Sequence, residues 1–144
     1  MIENLMAQSL LLNAGLISKE ELIQVIDSDL IETPDSEILI DLEWCLSDVQ
    51  KIISVIWQYV AGHKVDYTIM GRVLLAKLKA EYSKKELDLY EFASKLNEIW
   101  SMLPESIQLI EPFWSMIYAD EPLSWGDKKQ TRELYEKMFL FYDT

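Results

Sequence analysis

The residue types most often recruited for catalysis are sparse in this sequence. His63 is the only histidine and Cys45 the only cysteine among 144 residues. His63 follows Gly62, a helix-stopping residue, and that position predicts an exposed turn residue rather than a general base held against a substrate. Cys45 falls among apolar residues at helical spacing, where a free thiol behaves as a small inert hydrophobe. One cysteine permits neither an internal disulfide nor a cysteine-based zinc site within the chain. Asp27, Asp29 and Glu32 resemble the start of a calcium loop, but such a loop needs Gly at its sixth position and Glu at its twelfth, where Glu32 and Ile38 stand. There is no Gly-rich phosphate loop, no His-Glu-x-x-His and no Gly-x-Ser-x-Gly. Acid pairs such as Glu105 with Glu111, or Asp120 with Glu121, are commonplace in an acidic chain. The sequence therefore names no catalytic residue, no metal ligand and no cofactor, and its expectation is a binding protein rather than an enzyme.

The chemistry that does stand out is charge. Asp and Glu number 25 against 13 Lys and Arg, a formal net charge of −12. Residues 1–48 hold eleven acids and one base, residues 49–96 five and eight, and residues 97–144 nine and four. No basic residue lies between Lys19 and Lys51, while Asp27, Asp29, Glu32, Asp35, Glu37, Asp41, Glu43 and Asp48 fall within 22 positions. Such a charge repels nucleic-acid phosphates and anionic lipid surfaces and favours a basic protein as partner.

If residues 37–48 are one helix, Glu37, Asp41, Trp44 and Asp48 at i, i+4, i+7 and i+11 form a stripe turned away from the Ile38/Leu42/Cys45/Val49 face. A tryptophan then sits inside an acidic strip, the combination of anchor and steering charge found in protein interfaces. Two plainer readings stand beside it: the acids form a solubilising face, and Trp44 belongs to the core or its edge.

The elements that must carry these residues are helical. Ile2, Leu5, Met6, Ser9, Leu10 and Asn13 predict a helix over 2–14 with Gly15 just beyond its end. Ser18 with Glu21 is a capping box that opens a helix over 19–27, with Leu22, Ile23, Val25 and Ile26 inward. Residues 28–36, including Pro34, read as a loop. From Ser36 or Glu37, apolar residues recur at helical spacing to Gly62, with Ser47 and Gln50 as a second capping box that would divide the run at a bend.

Tyr67 to Tyr82 shows Ile69, Val73, Ala76 and Ala80 at helical intervals, and Ser83 with Glu86 predicts the cap of the next helix, which Pro104 ends. Pro104, Pro112 and Pro122 break residues 104–126 into short helices. Asp127 caps a last helix whose inward face is Leu134, Tyr135, Met138, Phe139 and Tyr142. The aromatics Trp100, Trp114, Tyr118, Trp125, Tyr135 and Phe139 read as packed core ahead of a ligand pocket.

Four glycines and no hairpin-turn dipeptide between alternating runs leave little for a sheet. The predicted fold is all-α, a compact single-domain bundle over residues 1–144 with about six or seven helices. The first residues lack the basic and apolar regions of a secretory signal, and no apolar run approaches the ~20 residues of a membrane span, so the expected compartment is the cytoplasm.

Small size, strong acidity and helical construction, with the acidic stretch from Asp27 to Asp48, resemble the immunity proteins that bacteria make against toxins of contact-dependent and other polymorphic secretion systems. The resemblance implies an antitoxin-type inhibitor that binds a basic toxin domain, such as a nuclease, and covers its substrate surface. Asp27, Asp29, Glu32, Asp35, Glu37, Asp41, Trp44 and Asp48 are the expected partner-binding residues. The alternative is a regulatory or adaptor subunit of another assembly, and after it an enzyme without a recognisable motif.

Overall fold

The computed structural model describes residues 1–143, whose regular elements are all helices, with no strand among them. They hold nine α-helices and one 3-10 helix rather than six or seven helices. The chain forms two compact units, Met1–Met70 and Gly71–Thr144.

The first unit contains α1 (Ile2–Asn13), α2 (Lys19–Glu32), α3 (Glu37–Glu43) and α4 (Val49–Ala61). Leu5, Met6, Ala7, Ser9, Leu10, Leu11 and Leu12 are all buried, so α1 is covered on nearly every side. Its buried Ser9 hydroxyl is satisfied locally, donating to the Met6 carbonyl at 2.7 Å. α1 packs chiefly on α4, which turns Ile52, Ile53, Ile56 and Val60 inward, while α3 packs on both α2 and α4. Gly15 ends α1 as predicted: at φ 75° it lets its own N–H reach the Leu12 carbonyl at 3.0 Å and the Leu16 N–H reach Leu11 at 2.9 Å. This pair of bonds is a Schellman closure, and its left-handed residue favours glycine.

Two expectations for this unit are corrected. α2 does not stop at residue 27 but runs through Glu32, which shortens the predicted 28–36 loop to a turn around Pro34. The apolar run from 37 to 61 is divided into two helices near Ser47, as its spacing allowed, at a turn over 44–47. The cap of the second is Asp48, whose carboxylate accepts from the Lys51 N–H at 3.2 Å, and not Ser47. An anionic acceptor beside exposed N–H groups also meets the helix dipole, which a serine does not.

α5 (Tyr67–Lys84) begins in the first unit and extends into the second. Asp66 opens it by accepting from the N–H groups of Thr68 and Ile69. Its buried positions are Met70, Leu74, Leu75 and Leu78, whereas Ile69, Ala76 and Ala80 are exposed. The inward face is thus one residue out of step with the expected one, because the large side chains remove more apolar area from water than the alanines.

In the second unit α5 is followed by α6 (Leu89–Met102), α7 (Glu105–Gln108), α8 (Ser115–Tyr118), a 3-10 helix (Glu121–Trp125) and α9 (Lys128–Phe139). Ser83 lies within α5 and caps nothing after it; Lys85 leaves the helix at φ 56°, and Asp88 caps α6 through the Glu91 N–H at 2.8 Å. Asp127 caps α9 as expected. Tyr82, Phe92, Tyr135 and Phe139 pack together with ring centroids 5.3–6.5 Å apart, the edge-on and tilted geometry that aromatic quadrupoles favour. Trp125 and, to a lesser degree, Trp114 are by contrast exposed rather than core. At Gly71 a Cβ would overlap the Tyr142 hydroxyl and press on Phe113, so that residue allows close packing against the chain's last turn.

No helix among the described residues is long and apolar enough to cross a membrane.

Candidate functional site on α2 and α3

The eight residues expected to bind a partner are spread over two helices and the turns that follow them, and the expected stripe of Glu37, Asp41, Trp44 and Asp48 is cut short. Asp27, Asp29 and Glu32 belong to α2, Asp35 to the connecting turn, and Glu37 and Asp41 to α3. Asp48 is spent capping α4, beyond the turn that ends α3, so the proposed continuation of the stripe from Trp44 to Asp48 does not exist.

What the fold does build is shorter and more apolar. Trp44 is the C-cap of α3; it keeps right-handed helical angles, and its N–H bonds to the Asp41 carbonyl at 3.3 Å. It therefore extends the outward face formed by Glu37, Ile40 and Asp41 at i, i+3 and i+4, while Ile38, Leu39 and Leu42 face the core. Trp44 is 86% exposed, which removes the reading of it as a core residue. Ile40 is exposed one turn before it.

α2 contributes a third apolar group. Ile31 is 83% exposed, on the side of α2 opposite the buried Leu22 and Ile26. The same outward side carries Asp27, one turn earlier. Asp27 reaches across to α3, where its carboxyl is within hydrogen-bonding reach of Glu43. That contact raises the Glu43 pKa above its ordinary value, with desolvation and the Asp27 charge adding to the effect. Ile31 on α2 and Ile40 and Trp44 on α3 are thus exposed apolar side chains on two packed helices whose exposed charges include Asp27, Glu37 and Asp41.

Asp29 and Glu32 turn toward α1. With Met1, Asn4 and Thr33 they line a cleft of about 240 Å³, and neither carboxylate has an ion-pair partner among the described residues.

Ile31 and Ile40 are the members of this face that the sequence did not point to. Ile40 was legible as the i−4 neighbour of Trp44. Ile31 became visible only when α2 proved to continue past residue 27.

Cys45 is buried and its thiol donates to the Leu42 carbonyl at 3.4 Å; burial pushes its pKa up, away from thiolate. His63 is exposed in the turn after α4, with Nδ1 2.7 Å from the Tyr59 carbonyl oxygen and its ring stacked 4.1 Å from the Tyr59 ring. No group of three or more His, Cys, Asp or Glu side chains among the described residues is arranged to hold a metal ion.

Comparison of the chain with protein-family models, with curated proteins and with solved structures finds no match.

Proposed function

We propose that the chain is an immunity-type inhibitor that binds a basic protein through α2 and α3 and covers that partner's phosphate-binding surface. The observation that carries this reading is Trp44, left almost wholly exposed on a helix whose charged neighbours are all acidic. Covering an indole of this kind releases roughly 4 kcal/mol of gross hydrophobic free energy, before the losses of association are subtracted. Ile31 and Ile40 enlarge the patch, and the acids around it exclude partners that lack complementary charge.

On this reading Trp44 and the isoleucines anchor the complex, while Asp27, Glu37 and Asp41 meet lysines and arginines that otherwise hold phosphates. Asp29 and Glu32 take one cationic side chain in the cleft beside α1. A toxin nuclease is the partner class with this chemistry, since its substrate surface must be basic.

The test is photocrosslinking in the native cell from a photoreactive residue placed at Ile40, followed by purification of the adduct and assay of the captured protein. The expected result is a basic protein whose nuclease activity the parent chain suppresses and a Trp44→Ala chain suppresses poorly. Crosslinking to nothing, or to an acidic protein, contradicts the proposal. Capture of a basic protein without nuclease activity contradicts the nuclease assignment and leaves an adaptor as the reading.

A further inference from the structure

The second unit contains an open crevice of about 380 Å³ between the end of α5, the start of α6 and the first turns of α9. Tyr82, Leu89 and Phe92 give it an apolar, aromatic floor. Three cations, Lys85, Lys128 and Arg132, and three acids, Glu81, Asp88 and Glu136, stand around it.

Those charges are equal in number but not in availability. Glu81 is paired with Lys77 at 3.5 Å and with Lys84 at 2.9 Å. Asp88 caps α6 through the Glu91 N–H, and neither it nor Glu136 forms an ion pair within 4.0 Å among the described residues. Lys85, Lys128 and Arg132 likewise form none; Lys128 lies 5.6 Å over the Tyr90 ring. With Glu81 met by Lys77 and Lys84, which do not line the crevice, three cations stand against two acids, and the excess charge is positive.

A separate observation concerns Lys85. It closes α5 at φ 56°, a left-handed position where glycine is the unstrained residue. A lysine there forgoes stability and places its ammonium group at the edge of the crevice, the pattern expected where a strained residue serves a site.

We propose that this crevice binds a small organic anion with a flat apolar body, its ring on Tyr82 and Phe92 and its carboxylate or phosphate held by Arg132, Lys85 and Lys128. Arg132 offers the planar fork suited to either anion, and the floor separates such ligands from inorganic ions.

The experiment is amide chemical-shift mapping on the full chain with benzoate, phenyl phosphate, inorganic phosphate and benzyl alcohol. Benzoate or phenyl phosphate, whichever anion head is preferred, should give saturable shifts confined to residues near 82–92 and 128–136. Inorganic phosphate and benzyl alcohol should bind about tenfold more weakly or worse. Lys85→Gly should raise the melting temperature and weaken the favoured anion about fivefold or more, a pair of opposite effects that misfolding cannot produce. Arg132→Gln should weaken it further. Absence of shifts from both aromatic anions at about 10 mM overturns the proposal, as does equal binding of benzyl alcohol or of inorganic phosphate. A Lys85→Gly chain that binds the anion as tightly as the parent overturns it as well.

Discussion

The carboxyls of Asp27 on α2 and Glu43 on α3 meet within hydrogen-bonding reach, sixteen positions apart in the chain. Two acids brought together by a helical hairpin, with no base between Lys19 and Lys51 to separate them, are a local cost to folding.

From this pair comes a prediction about pH. The hydrogen bond to Asp27 raises the Glu43 pKa, so the folded state holds a proton that the unfolded state releases. The stabilisation is fully present below the unfolded Glu pKa and is lost as pH rises through the folded one. At neutral pH the pair repels, and Asp27→Asn should stabilise the chain by a few tenths of a kcal/mol, an amount usual for exposed charge pairs. The gain should fade on acidification through the Glu43 midpoint. Urea unfolding of both chains across this range measures it, and an NMR titration should show the Glu43 midpoint fall in the variant.

The start of α4 gives a second prediction. Asp48→Ala should cost about 1 kcal/mol by removing the acceptor for the Lys51 N–H, whereas Ser47→Ala should change stability by less than about 0.5 kcal/mol. Thermal unfolding of the two variants decides between the caps, and a larger loss for Ser47→Ala would reject the assignment.

Gly71 supplies a third. Alanine in a helix interior ordinarily gains roughly 0.5–1 kcal/mol over glycine, but here its methyl group would collide with Tyr142. Gly71→Ala should therefore destabilise by about 1–3 kcal/mol, and by much less in a Tyr142→Ala background where the obstacle is gone. Chemical unfolding of the four chains of this cycle measures the coupling.

These residues also show which parts of the structure the sequence reveals. The ends of α1 and the cap of α9 were legible because Gly15 and Asp127 satisfy local backbone rules that no distant contact overrides. Ser18 was legible for the same reason. Ser47 and Ser83 carried an equivalent pattern and cap nothing, since Asp48 and Asp88 close by offer a stronger, charged acceptor.

The exact inward face of α5 was hidden because alanines and leucines both recur at helical spacing and only packing selects between them. The acidic character of the site and its tryptophan were legible from composition. Its actual extent was not, because it depends on α2 continuing to Glu32 and on α3 stopping at Trp44, both matters of tertiary packing. The exposure of Ile31 and the crevice beside Lys85 appear only once the helices are assembled.

The central claim is that the α2 and α3 face steers and anchors a basic partner. It is tested most directly by association and dissociation rates of the crosslinked partner, once purified, measured across a salt series for four chains: the parent, Glu37→Lys, Asp41→Lys and Trp44→Ala. The three side chains replaced are exposed, so circular dichroism should report the parent fold in each. The two lysine chains should associate more slowly than the parent and with a weaker salt dependence, because screened long-range attraction acts on the encounter. Trp44→Ala should associate at the parent's rate but dissociate faster, with a loss of about 2 kcal/mol or more. Folded lysine chains that associate as fast as the parent with its salt dependence, together with an unchanged dissociation rate for Trp44→Ala, would contradict the claim and reduce the face to a solubilising surface.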